Sequence, residues 1–200
     1  MPAKRRHAGF TMIELLVTII VLAIVASYAL PSFEQTVLNN RLTSQVNDVS
    51  SLVAYARSEA SKLDAGVITV CSSSDSASCS GSSSWEQGWI VFRDIDGDRV
   101  VDAGTDRLLK VSGPLSGGNT LRISGLTSDG GGYAQFASNG FPIPSATGAA
   151  AGTLTVCDSR GASEAKAVVI NISGQTRLAR DTGGTAGVVN NDKGNDVTCP

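Results

Sequence analysis

The sequence predicts an α+β protein in which a long N-terminal α-helix, transmembrane in its first half and kinked near Pro31, packs on a C-terminal head resembling an antiparallel β-sandwich. Three observations carry that expectation. Residues 10–30 form an apolar run whose one charge is Glu14. Apolar residues then recur at helical spacing as far as Leu63. Past Gly66 the pattern changes to short β-rich runs separated by Gly, Ser, Asn, Asp and Pro clusters, which suits two packed antiparallel sheets.

The N-terminal element comes first. Lys4, Arg5 and Arg6 precede the apolar run, whose 21 residues from Phe10 to Leu30 suffice to cross a bilayer core at about 1.5 Å per residue. The basic flank is expected to stay in the cytoplasm. Three fates are open to such a segment: a signal peptide cut after Ser27-Tyr28-Ala29, a plain anchor, or a leader cut before the apolar run so that the helix stays on the mature chain. Glu14 discriminates among them, because a carboxylate at the centre of a bilayer costs about 2.5 to 3.5 kcal/mol and such acids usually have a specific partner. The first two fates give it none.

Gly9-Phe10-Thr11-Met12-Ile13-Glu14, followed by Leu15-Leu16-Val17, resembles the type IV prepilin motif. The resemblance implies cleavage between Gly9 and Phe10 by a membrane aspartyl peptidase, N-methylation of Phe10, and retention of the helix as a polymerisation stem. Glu14 becomes the fifth residue of the mature chain, where the family has its acid, and Pro31 falls on the family's helix-kinking proline. Inside packed stems, the new Phe10 ammonium of one subunit can neutralise Glu14 of a neighbour, since low dielectric strengthens the attraction that offsets desolvation.

The outer half of the stem follows. Phe33, Val37, Leu38, Leu42, Val46, Val49, Val53, Ala56, Ala60 and Leu63 recur at a spacing near 3.6, opposite Asn39, Arg41, Asn47, Asp48, Arg57 and Glu59. Pro31 predicts a kink or a locally melted turn, and Gly66 a left-handed terminator, so the helix is expected to reach Leu63 or Asp64, on the order of 80 Å from Phe10. The implied organisation is a leader at 1–9, a transmembrane helix at 10–30, an outer stem at 31–66 and a globular head at 67–200.

Within the head, strands are expected at Val67–Cys71, Gly88–Arg93, Arg107–Val111, Thr120–Leu126, Tyr133–Ala137, Thr153–Cys157, Lys166–Ile172 and Thr176–Ala179. Cys71, Cys79, Cys157 and Cys199 form an even set without a CxxC spacing, so two disulfides in an oxidising compartment are expected. Three pairings are open to four cysteines. The preferred one joins Cys71 to Cys79, pinning the low-complexity stretch Ser72–Ser84, and Cys157 to Cys199, stapling the polar C-terminal stretch.

Trp85-Glu86-Gln87-Gly88-Trp89-Ile90-Val91-Phe92-Arg93-Asp94, an acidic turn, and Asp106-Arg107-Leu108-Leu109 resemble the head of the GspH/FimT group of minor pilins and pseudopilins. That resemblance implies a pilin fold and a low-abundance subunit, related to the FimU type, that primes or caps a type IV pilus or a type II secretion filament. It implies an inner-membrane protein with a periplasmic head, and partners that are the prepilin peptidase and other minor and major pilins or pseudopilins.

Other chemistry is sparse. The net charge of -2 and a pI near 5.3 exclude a generally basic nucleic-acid binder. The single His7 lies in the leader, which takes histidine catalysis and most zinc sites out of the head, and no GxSxG, Walker A or HExxH motif occurs. No enzymatic activity and no cofactor are expected. Asp94, Asp96 and Asp98, with Asp102 and Asp106 after them, resemble a calcium cage, but Gly97 stands fourth where an EF-hand needs it sixth, and Thr105 stands twelfth where it needs Glu. An Asp-Gly hairpin turn accounts for most of the pattern. Arg177 and Arg180, with Arg160 and Lys166 as candidate neighbours, are the head's cationic cluster. In FimT-type subunits a Gly-Arg-x-Arg loop is implicated in DNA binding, and Gly174-Gln175-Thr176-Arg177 matches it only with Gln175 in place of the first arginine. An outward-facing final strand explains the same residues without DNA.

Overall fold

The computed structural model describes residues 9–126, 132–144 and 150–200, so the expected leader lies, as far as Ala8, outside the described residues. Helix α1 spans Met12–Ala60, and its helical state is unbroken across Pro31 although that residue supplies no backbone donor. The helix ends earlier than Gly66 suggests. Lys62 N donates to Glu59 O and Leu63 N to Ala60 O, three-residue bonds that tighten and close the last turn. Gly66 is left-handed at φ 84° for a different reason: a Cβ there would lie 2.7 Å from Asp94 O, so only glycine lets the chain enter the first strand against the end of the second.

Among the described residues eight strands follow: β1 Val67–Ser72, β2 Trp89–Asp94, β3 Arg107–Ser112, β4 Thr120–Gly125, β5 Tyr133–Phe136, β6 Gly152–Cys157, β7 Lys166–Ile170 and β8 Thr176–Leu178. They form two antiparallel four-stranded sheets, ordered β3-β2-β1-β5 and β4-β6-β7-β8. The expected eight strands are all present. The chain divides into two compact units at Asn40/Arg41, the second holding residues 41–60 of α1 together with both sheets.

Period-two alternation sets the core of this second unit. Ile68 and Val70 of β1, Leu154 and Val156 of β6, and Val168 and Ile170 of β7 join Leu42, Val46, Val49, Leu52, Val53 and Ala56 of α1 in one buried cluster. Each fully buried Leu, Ile or Val there contributes about 1.5 to 3 kcal/mol. Trp85 and Trp89, which frame the WEQGW stretch, are 1% and 3% exposed in the same cluster, so that motif builds core rather than a surface site. In the pairing of β2 with β3 the register slips between Val91 and Phe92 of β2, leaving Leu109 of β3 as the extra residue. The bulge lets Leu109 pack on the core while Lys110 reaches over Tyr55 of α1, 5.6 Å from the ring centroid.

Each sheet's second face carries its own small cluster and its own disulfide. Cys71, Ile90 and Phe92 are covered with Cys79, to which Cys71 is bonded. Cys157, Ala165, Ala167, Val188 and Val197 form the other, where Cys157 is bonded to Cys199. This second layer explains why β6 is buried along its whole length instead of alternating. The C-terminal stretch is tied down further by Asn190, whose Oδ1 accepts from Thr182 N at 2.6 Å while its amide donates to Gly183 O at 2.8 Å and Asp196 Oδ1 at 3.0 Å.

The serine-rich loop is organised by one carboxylate as well as by its disulfide. Asp75 Oδ1 accepts from Ser73 Oγ, Ala77 N and Ser78 N, and Oδ2 accepts from Ser78 Oγ at 2.6 Å. Those bonds, the Ser78 hydroxyl first, hold the Asp75 carboxyl well below its usual 3.8. A depressed folded pKa contributes its stability in full above 3.8 and loses it only as pH falls through the lower folded value. The Ala77 and Ser78 amide chemical shifts are therefore expected to hold constant from pH 8 to below pH 3.8, whereas Asp75→Asn displaces both at neutral pH.

Candidate functional site

At the start of α1, Thr11 and Glu14 stand at the spacing of a capping box, a local pattern that the reading of Glu14 as an intramembrane acid overlooks. Thr11 Oγ1 accepts from Glu14 N at 3.2 Å, satisfying one of the first-turn donors. Gly9 and Phe10 lie just outside the helix. Phe10 is 71% exposed, as are most large apolar side chains from Met12 to Leu30 to a similar degree, and α1 is long and apolar enough to cross a membrane.

The acidic turn between β2 and β3 separates into unequal residues. Asp94 is fully buried at the end of β2. Its Oδ1 accepts from Gly97 N at 2.6 Å, and its Oδ2 from Thr69 Oγ1 at 2.7 Å, Arg99 N at 3.0 Å and Gln135 Nε2 at 3.3 Å. Asp106 closes the other side, accepting from Ile95 N and Asp102 N, both at 3.0 Å. Asp96 and Asp98 are exposed, with carboxylate oxygens that come within 4.8 Å of each other and of Asp94. Partial desolvation, then the carboxylates of Asp98, Asp106, Asp96 and Asp94, push Asp102 up from its usual value. The turn thus brings Asp94, Asp96 and Asp98 of the expected calcium cage together and leaves Asp102 outside that group, and the buried Asp94 already serves four protein donors.

The cationic cluster also divides. Arg177 on β8 and Arg180 just after it are exposed, with Arg177 opposite Val169 in the ladder. Arg160 does not join them as a free cation. Its guanidinium grips the buried Asp158 carboxylate, Nη2 to Oδ2 at 2.6 Å, and reaches Glu164 at 3.5 Å. Burial alone would raise Asp158, but its hydrogen bonds and attraction to Arg160 hold it below the ordinary value. A second ion pair joins Arg122 of β4 to Glu86 of the WEQGW stretch. Neither pair is signalled in sequence, because the first is a turn contact two residues apart and the second crosses 36 residues.

An apolar N-terminal helix that continues into a core shared with two antiparallel sheets defines a type IV pilin-like protein. The family model described as "Type II transport protein GspH" matches residues 45–174, and that of the prokaryotic N-terminal methylation motif matches residues 4–30. The chain belongs to the GspH family of pilin-like proteins. Among solved structures, the type IV minor pilin FimU of Pseudomonas aeruginosa strain PAO1 shares this fold. In its P21 crystal form the identity is 17%, the match covers 74% of this chain and 94% of that one, and the TM-score is 0.53. In the P65 form the figures are 16%, 72%, 97% and 0.48. The comparison with curated proteins gives no match.

Proposed function

We propose that this chain is a minor type IV pilin, a structural subunit that primes or caps filament assembly near the tip. The observation that carries the reading is the order of the two family matches, a methylation motif over 4–30 directly ahead of a GspH match over 45–174. In this reading residues 1–9 are a leader, 10–30 a transmembrane and polymerisation helix, 31–66 the outer stem and 67–200 the head. The chain sits in the inner membrane with its head in the periplasm. Prepilin peptidase then cuts between Gly9 and Phe10, Phe10 is methylated, and the released helix packs among the stems of other pilins through Glu14, with Pro31 allowing local adjustment. Mass spectrometry of the mature protein is expected to give N-methylated Phe10 as its first residue; a start at Leu30 replaces the reading with an ordinary exported protein.

The matching family, described as a type II transport protein, favours a second reading as a pseudopilin of a secretion filament. Deleting the gene separates the two, since loss of surface pili supports the first and retention of an exported enzyme in the periplasm the second. DNA capture at the tip is a further role, supported by the exposure of Arg177 and Arg180. Two cations give weak, salt-sensitive phosphate binding. Arg177→Ala with Arg180→Ala is expected to abolish DNA retention at low salt, and unchanged retention removes these residues from DNA binding.

A further inference from the structure

An open sheet edge presents a row of backbone donors and acceptors without partners, and each of the two sheets has two edge strands. Three of these four edges are covered or short. The chain before β2 lies along β4, where Trp85 N donates to Leu121 O at 2.9 Å and Ser84 pairs with Arg122. The chain after β5 folds back on it, where Ile143 N donates to Gln135 O at 2.8 Å and Pro142 pairs with Phe136. β8 has only three residues. β3 has six, and among the described residues its backbone bonds to β2 alone. Its two faces differ. Leu108 and Val111 stand opposite Phe92 and Ile90 and are 39% and 42% exposed, so they carry the outer apolar cluster of this sheet to its rim. Arg107 and Lys110 stand on the α1 side, opposite Arg93 and Val91. Arg107 against Arg93 is a like-charge pair that disfavours the ladder, and among the described residues no carboxylate pairs with either of them or with Lys110. A guarded edge points its charges outward, whereas Lys110 is drawn over Tyr55 and the other face is left apolar.

We propose that β3 takes an added strand from a different filament subunit, an extended segment with carboxylates on one face and apolar side chains on the other. Its backbone pairs with the open edge of β3, its acids face Arg107, Arg93 and Lys110, and its apolar side chains cover Leu108 and Val111. Charge complementarity selects this occupant over a second copy, because β3 laid against β3 sets cations against cations. The contact therefore joins unlike subunits and ends at one partner, as a scarce subunit near a filament tip requires. It rests on the reading as a filament subunit and names the kind of neighbour that subunit takes. A six-residue strand buries less than a standard interface of about 1,600 Å², so packed stems supply the effective concentration that holds it in place.

The test has two arms. In the first, the full-length chain in nonionic detergent is saturated with a capped hexapeptide alternating glutamate and valine, or with one alternating lysine and valine, and amide hydrogen exchange in β3 is followed by mass spectrometry. The glutamate peptide is expected to slow exchange over residues 107–112 at least about fivefold, and the lysine peptide to leave it unchanged. Arg107→Glu is expected to remove the effect of the glutamate peptide while exchange without peptide stays at the parent rate, which shows that β3 still forms. Slowing by both peptides alike, by neither, or only outside β3 overturns the proposal. In the second arm, Val111→benzoylphenylalanine in cells is expected to crosslink the chain, in sheared filaments, to an acid-bearing segment of another subunit that carries the methylation motif. A chain present in sheared filaments without that crosslink overturns the contact and leaves the filament reading intact. A chain missing from sheared filaments overturns both.

Discussion

Glu14→Ala is expected to leave membrane insertion intact and to reduce recovery of the chain in sheared filaments at least about a hundredfold. Insertion survives because removing a carboxylate from an apolar helix relieves a desolvation cost, so the variant partitions into the bilayer at least as well. Assembly fails because the Phe10 ammonium of a neighbouring subunit then enters the packed stems without a counter-charge. Leaving one member of a buried pair unmatched costs about 3 to 5 kcal/mol, which sets the hundredfold bound. The local alternative for Glu14 is its place in the first turn of α1, where Thr11 Oγ1 accepts its backbone amide. That contact needs no carboxylate, and loss of an N-cap costs about 1 kcal/mol, too little for the expected defect. Measuring the chain in membrane and filament fractions separates the two, and normal filament recovery eliminates the pairing.

The strands were legible because turn residues punctuate them. β1, expected over Val67–Cys71, runs over Val67–Ser72, and β8, expected over Thr176–Ala179, runs over Thr176–Leu178. The end of α1 was not, because a glycine with positive φ signals a left-handed residue without saying what demands it. At Gly66 the demand is the carbonyl of Asp94, 28 residues away, and not the helix terminus. Charge clusters suffer in the same way. Arg160 resembles Arg177 and Arg180 in sequence, yet the structure commits it to Asp158. Alternating Asp94, Asp96 and Asp98 are equivalent as a pattern, whereas the fold buries the first and exposes the other two. That difference comes from Thr69 on β1 and Gln135 on β5, neighbours that only long-range pairing supplies.

Asp94→Ala is the substitution expected to damage the second unit most. It strips the acceptor from Thr69 Oγ1, Gly97 N, Arg99 N and Gln135 Nε2 at a residue with no solvent exposure. A buried donor left unmatched costs about 1 to 3 kcal/mol, and because the four share one network their costs do not add in full, giving a loss of about 4 kcal/mol. For a chain of this size that lowers Tm by about 10 °C. Asp94→Asn keeps one carbonyl acceptor and is expected to fall between the two. Calcium gives this residue a different part: an ion held by Asp94, Asp96, Asp98 and Asp102 would organise the turn itself, and a chelator would then lower the Tm of the unaltered protein. Both oxygens of Asp94 already accept bonds from protein donors, so the expected Tm is the same with and without chelator. A chelator effect as large as that of Asp94→Ala would return the turn to a calcium site, and an Asp94→Ala variant that melts like the parent would remove Asp94 as the turn's organiser.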